Sequence, residues 1–131
     1  MTFTHLETHS HFTLLAATPS VTQLVDRAAA DGMTHLALTD THALYGAVAF
    51  ARACRRREVQ PVIGMAVGVS APPEWAGAEA AEPGRLVLLA LNPAGYRSLC
   101  RLSSRIQGSP DRPRLAAQGL AWEDIAAHHE G

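Results

Sequence analysis

Short apolar segments alternate with longer amphipathic ones along most of this chain, and this alternation constrains its fold most. The apolar segments lie at residues 3–8, 34–40, 61–69 and 85–91, and their lengths are typical of β-strands. Helical patterns separate the first three of them. Because strands joined through helices run parallel with right-handed crossovers, the order predicts an α/β fold of about four mainly parallel strands with flanking helices.

End signals and apolar faces define the predicted helices. Ser20 and Gln23 form a capping box at the start of the first helix, and Gly32 suits the position just past its end. A second helix is predicted over 44–58, and a third begins at Pro93. The inner faces predicted for these two helices are Leu44, Ala47, Val48, Ala51 and Cys54 in the second, and Tyr96, Leu99, Cys100, Ser103 and Ile106 in the third.

The remaining segments are predicted to be loops and one short helix. Residues 70–84 are rich in Pro, Ala and Gly without periodicity, and we expect a loop whose composition is typical of disorder. Residues 107–119 contain Gly and Pro and are also predicted to be a loop. Residues 121–129 are predicted to form a short final helix. All of 1–131 is interpreted as one domain or part of one.

Composition excludes several classes of function. The 131 residues are 47% hydrophobic, enough for a buried core, and the net charge of −1 argues against a basic nucleic-acid-binding domain. Cys54 and Cys100 lie far apart and no CxxC motif occurs, which excludes a zinc ribbon and argues against a disulfide framework. Because no signal peptide or long apolar run is present, we expect a reduced, cytoplasmic protein without membrane contact.

Histidines and carboxylates follow the first two predicted strands. Glu7 and His9 end the first, and Asp40 and His42 end the second, each pair at the i, i+2 spacing that points both side chains the same way. Because the carboxyl ends of parallel strands meet at one edge, we expect these side chains to converge. Imidazole and carboxylate ligands suit zinc, manganese or iron, which activate water for hydrolysis. The alternative is that His9, His11 and His42 are ordinary loop histidines.

Four ordered segments resemble the polymerase-and-histidinol-phosphatase (PHP) domain at the N-terminus of bacterial DNA polymerase III alpha subunits. The segments are FTHLETHSHFTLL (3–15), LALTDTHALYGAVAFARAC (36–54), QPVIGMAVGV (60–69) and LVLLALNPAGYRSLCRLSS (86–104). The resemblance extends from residue 3 to the last residue. It implies that the chain is the N-terminal portion of a PHP domain, a distorted (β/α)7 barrel that binds metal ions in members with an intact site.

The resemblance also implies a degenerate metal site. In the His-x-His motif of the family, Glu7 takes the first place and His9 the second, while Asp40 matches a third ligand. The places that have lost a ligand are held by Ala16, Thr41 and Ala66, with His42 one position too late to substitute simply. Glu7, His9 and Asp40 are therefore candidate metal-ligand remnants. No catalytic residue is expected, and zinc or manganese should bind weakly if at all.

The function that the resemblance implies is a structural fragment of a polymerase subunit in DNA replication. The parent would be a nucleotidyltransferase whose polymerase carboxylates lie outside this chain, so the chain alone should be inactive. Implied partners are the rest of the alpha subunit and, through the parent, DNA. An unclosed sheet edge also permits self-association. Two alternatives are a metal-dependent phosphoesterase or 3′–5′ exonuclease with a rearranged site, and a pure interaction module. Replicative and error-prone parents both fit.

Overall fold

Three strands and five helices make up the part of the chain that this computed structural model describes, residues 3–72, 74 and 82–131. Their order is α1 (Val21–Ala30), β1 (His35–Leu38), α2 (Ala47–Arg56), β2 (Gln60–Val69), β3 (Gly84–Leu89), α3 (Pro93–Gln107), α4 (Arg112–Gln118) and α5 (Trp122–Ala126). The predicted α/β class is confirmed. Most of the loop predicted over 70–84 lies outside the described residues.

The sheet has the order β1-β2-β3 and contains both strand directions. β1 pairs with β2 in parallel, with Leu38 opposite Ile63, and β2 pairs with β3 antiparallel, with Gly68 opposite Arg85. The expectation of mainly parallel strands holds for β1 and β2, whereas β3, which follows a loop rather than a helix, runs antiparallel to β2. Parallel pairing needs a long crossover, usually a helix, and the sequence between β2 and β3 has no helical apolar pattern to supply one.

Residues 3–8 do not form the regular strand predicted for them. The segment runs beside β1 in the same direction: the Ala37 amide donates to the His5 carbonyl at 2.9 Å, and the Thr39 amide donates to the Thr8 carbonyl at 2.8 Å. Between these two hydrogen bonds the segment advances by three residues and β1 by only two. The regular ladder of hydrogen bonds is therefore broken, as it is at a β-bulge. The segment nevertheless covers the outer edge of β1 and ends beside it.

Capping interactions confirm the predicted ends of α1 and the predicted start of α3, whereas α2 is shorter than the helix predicted over 44–58. The Ser20 hydroxyl accepts from the Gln23 amide at 3.2 Å and the Gln23 side chain accepts from the Ser20 amide at 2.8 Å, completing the capping box of α1. Gly32 follows the end of α1 with φ +71°, a conformation that strains other residues. The Asn92 side chain accepts from two amides of the first turn of α3, which begins at Pro93 as predicted.

The buried faces of α2 and α3 are rotated from those predicted. The residues they bury are Ala47, Phe50, Ala53 and Cys54 in α2, and Gly95, Ser98, Leu99, Leu102 and Ile106 in α3. Val48 and Tyr96, both predicted to face inward, are 58% and 37% exposed. Phe50 is fully buried because its large ring gains more from burial than the smaller side chains on the predicted face.

The C-terminal region holds one helix that was not predicted. α4 lies inside the predicted loop 107–119, with Asp111 before its first residue and Pro113 in its first turn. Pro is compatible with the first turn of a helix, where the missing amide would have no partner, so its presence does not exclude a helix. α5 is shorter than the helix predicted over 121–129.

Two apolar clusters hold these elements together. The first joins α1, α2 and β1 through side chains that include Val25, Leu36 and Phe50. The second packs β2 against α3, α4 and α5 and includes Met65 and Leu102. Within the described ranges, no helix is long and apolar enough to cross a membrane. The loop after β1 lies where elements of the two apolar clusters meet. This loop carries part of the candidate site.

Candidate functional site

Asp40 follows β1 and is only 2% exposed. Its Oδ1 accepts hydrogen bonds from the Ser10 amide and the Thr13 hydroxyl, and its Oδ2 accepts from the Ser10 hydroxyl, each at 2.7 Å. Ser10 and Thr13 are buried with it. A buried carboxylate is tolerated when its oxygens are hydrogen-bonded in this way. Asp40 therefore fastens the turn at residues 10–13 to the end of β1.

His9 connects this buried network to the surface. Its Nδ1 lies 3.3 Å from the Thr13 hydroxyl oxygen. Because the Thr13 hydroxyl already donates its proton to Asp40, the Nδ1–H of His9 donates to Thr13. This tautomer leaves a lone pair on Nε2, which lies 2.8 Å from Nη2 of Arg85. A guanidinium only donates, so Nε2 accepts from Arg85.

Glu7 completes a surface group with His9 and Arg85. Its Oε1 lies 3.2 Å from Nε2 of His9 and forms an ion pair with Nη2 of Arg85. The side chains of Glu7 and Arg85 are 43% and 52% exposed, whereas that of His9 is 21% exposed. An exposed pair of this kind stabilises a fold only slightly.

His42 belongs to a different set of contacts. It has φ +60°, and its Nε2 accepts from the Gly68 amide of β2 at 3.2 Å. Its carbonyl accepts from the Gln107 side chain at 2.9 Å. Burial lowers the pKa of His42, because desolvation disfavours the charged imidazolium. Its imidazole therefore holds the loop after β1 against β2. It makes no hydrogen bond with Glu7, His9 or Asp40.

The other positions at which the resemblance implies lost ligands have ordinary structural surroundings. Thr41 and Ala66 form a parallel bridge that extends the pairing of β1 with β2, and the His42 amide donates to the Ala66 carbonyl at 2.9 Å. Ala66 is fully buried, and Ala16 is exposed. None of these three side chains offers a nitrogen or carboxylate ligand.

Comparison with known proteins places the chain in a family. The family model of the PHP domain matches residues 5–131. The chain belongs to the PHP domain family. This confirms the family resemblance seen in the sequence.

Curated relatives of this PHP domain are DNA polymerases. DNA polymerase III subunit alpha of Bacillus subtilis is 39% identical over 107 residues, covering 82% of this chain and 9% of that protein. The same subunit of Treponema pallidum is 35% identical, with 100% of this chain and 11% of that protein covered. Error-prone DNA polymerase of an Anaeromyxobacter strain is 33% identical, with coverages of 98% and 11%. The chain is thus homologous to the N-terminal region of alpha subunits but spans only 9–11% of the length of these relatives.

A solved structure supports the fold. An amidohydrolase from Chromobacterium violaceum, with bound sulfate and no metal, superposes with a TM-score of 0.59 at 31% identity. The alignment covers 85% of this chain and 36% of the other. The PHP domain described here is accordingly part of a PHP-type barrel, as predicted.

The side chains present do not fit the metal centre that the family implies. Asp40 is already engaged by three hydrogen bonds, and Glu7 and His9 are both in contact with a cationic side chain. In residues 3–72, 74 and 82–131, no three His, Cys, Asp or Glu side chains are placed to hold one ion. A metal with an open position normally has about three protein ligands.

Three functional residues of this site were missed from the sequence. Ser10 and Thr13 flank a turn and are of a type that often hydrogen-bonds locally, so their pairing with Asp40, some thirty residues away, left no sequence signal. Arg85 opens an apolar strand, and only the antiparallel pairing of β2 with β3 places it next to Glu7 and His9. The structure does bring Glu7, His9 and Asp40 to one end of β1, as predicted; their role as metal ligands stays a prediction.

Proposed function

We propose that this chain is the N-terminal part of the PHP domain of a DNA polymerase III alpha-type subunit and has a structural role in DNA replication. The names of its relatives support this assignment. Because the chain corresponds to about a tenth of their length, nucleotidyl transfer belongs to the rest of such a subunit. The chain alone is inactive, its partner is the remainder of the subunit, and it meets DNA through that parent. A cytoplasmic location follows from a role in bacterial replication.

The hydrogen bonds of Asp40 are the observation that best supports a structural role. An aspartate that serves a catalytic metal needs an oxygen directed at the ion, whereas Asp40 accepts three bonds from Ser10 and Thr13 in the interior. Its carboxylate holds the turn at 10–13 against the end of β1 without a metal ion. The metal site is therefore degenerate, and Glu7, His9 and Asp40 are what remains of it.

The second candidate is a metal-dependent phosphoesterase or 3′–5′ exonuclease, favoured by the contact of Glu7 with His9. In that case Asp40 would have to release Ser10 or Thr13, and His42 would have to leave Gly68. Both changes cost buried hydrogen bonds, which makes this candidate the weaker one.

Hydrolysis of a chromogenic phosphodiester with added zinc or manganese separates the two candidates. We expect the purified chain to show no hydrolysis above that of the metal in buffer, and the His9→Ala variant to behave identically. Metal-dependent turnover by the chain that is lost in His9→Ala would establish the phosphoesterase and contradict the structural role.

Self-association through the sheet edge is a separate part of the proposal. Among the described residues β3 pairs only with β2, which leaves backbone amides and carbonyls along its other side. Such an edge is able to add a strand from a second copy. Sedimentation velocity over a concentration series tests this: a concentration-dependent dimer supports edge pairing, and a monomer at all concentrations excludes it.

A further inference from the structure

Arg85 lies on β3, whereas the positions that have lost a family ligand, Ala16, Thr41 and Ala66, lie elsewhere in the chain. It lies in the antiparallel pair opposite Gly68, so no side chain stands directly across from it on β2. Its Nη2 contacts both Oε1 of Glu7 and Nε2 of His9, which are more than seventy residues earlier in the chain. One guanidinium nitrogen thus bridges the two remaining ligand-type side chains at the surface of the site.

The atoms that Arg85 occupies are those that a metal ion would need. Zinc binds a histidine through the lone pair of a neutral ring nitrogen and a carboxylate through an oxygen, both at about 2.0–2.2 Å. The hydrogen bond from His9 Nδ1 to Thr13 fixes the tautomer whose Nε2 lone pair faces Arg85. The guanidinium and a metal ion therefore compete for the same lone pair and the same carboxylate oxygen.

We propose that Arg85 acts as a built-in cation in this site: it takes the place of a divalent metal between Glu7 and His9 and keeps metals out. The inference deepens the proposed degeneracy of the metal site and rests on it. Lost ligands alone would leave Glu7 and His9 as an open weak site, whereas a resident guanidinium closes it. Arg85 is thus a blocking residue, and its removal exposes a latent metal-binding pair.

Geometry distinguishes Arg85 from an ordinary surface arginine. Arg57 offers a matched comparison, because its side chain is 53% exposed and pairs with Asp26, which is 45% exposed. Among the residues that the structure describes, Arg57 pairs with one carboxylate, that of Asp26, and makes no hydrogen bond with a histidine. Replacing either arginine removes one positive charge from an exposed ion pair, but only the replacement of Arg85 frees a histidine lone pair next to a carboxylate.

Isothermal titration of the chain with zinc chloride tests this role. We expect Arg85→Ala to bind zinc about tenfold more tightly than the unchanged chain, equivalent to about 1.4 kcal/mol. Arg57→Ala should bind as the unchanged chain does, and the double variant Arg85→Ala/His9→Ala should lose the gain. Arg85→Gln, which keeps the length of the side chain without its charge, repeats the test if the alanine variant does not fold by circular dichroism.

The outcomes separate this inference from the proposed function. Weak zinc binding by the unchanged chain with no gain in Arg85→Ala or Arg85→Gln overturns the blocking role and leaves the degenerate site intact. A gain that survives the His9→Ala change also overturns it, because the zinc would then bind elsewhere. Sub-micromolar binding by the unchanged chain that His9→Ala abolishes overturns the proposed function itself.

Discussion

Replacing Asp40 with alanine should lower the free energy of unfolding of this domain by about 4 kcal/mol, more than a typical polar substitution does. The carboxylate is 2% exposed and accepts three hydrogen bonds of 2.7 Å. Hydrogen bonds to a charged acceptor contribute about 1.5–3 kcal/mol each. The substitution also leaves buried donors without a partner, and such donors add a desolvation cost.

The three lost bonds are not equally costly. The hydroxyls of Ser10 and Thr13 are able to rotate toward other acceptors, while the Ser10 amide is fixed by the backbone. The total is therefore smaller than the full value of three independent charged bonds, and we expect about 3–5 kcal/mol. A cost of this size matters because small domains have a total stability of only about 5–15 kcal/mol.

Asparagine at this position provides the matched control. Asp40→Asn keeps the shape and one acceptor oxygen for the Ser10 amide and the Thr13 hydroxyl, while its amide faces the Ser10 hydroxyl, which can accept instead. We expect a loss of about 1–2 kcal/mol, from the change of a charged acceptor to a neutral one. Urea unfolding followed by circular dichroism measures both variants. A cost below about 1 kcal/mol for Asp40→Ala would refute the structural role of this carboxylate.

Three further outcomes are expected. Leu38→Ala, at a position 4% exposed, should cost about 2–5 kcal/mol in the same urea assay, and a loss under about 1 kcal/mol would make β1 peripheral. Because the pKa of His42 is lowered by burial, the unfolded chain binds more protons below pH 6.5, so stability should fall as the pH drops through that value; His42→Gln should flatten this dependence. Burial raises the pKa of the Cys54 thiol to about 11, so a maleimide should label Cys100 well before Cys54 in the folded chain, as mass spectrometry would detect.

Local signals in the sequence were enough to predict the ends of two helices. The capping box of Ser20 with Gln23 and the Asn92–Pro93 start depend on contacts within one helical turn, so they are legible in a short window. The buried face of α2 was not predicted correctly, because the position of Phe50 depends on which neighbour the helix packs against. Ala47, Phe50 and Cys54 do share helical spacing, but so do the residues of the predicted face, and the sequence alone does not say which face meets its neighbours.

The candidate site shows the same division. The pattern of carboxylates and histidines after two apolar segments predicted that Glu7, His9, Asp40 and His42 converge. Glu7 contacts His9, and Thr13 links His9 to Asp40, but His42 bonds to Gly68 instead. The antiparallel direction of β3 was not predicted, although the lack of a helical pattern between β2 and β3 was a signal for it. The contact of Arg85 with Glu7 and His9 was therefore missed as well. Sequence patterns thus predicted the positions of these acidic groups but not their hydrogen-bond and ion-pair partners.

The most direct test of the central claim is the free energy of unfolding of the unchanged chain with and without metal. The claim is that hydrogen bonds to Asp40 and the guanidinium of Arg85 hold this site together in place of a metal ion. Urea unfolding should therefore give the same free energy in EDTA and in excess zinc or manganese. A resident metal site at one hundred times its Kd would instead add about 2.7 kcal/mol, and a gain of that size, absent in His9→Ala, would contradict the account.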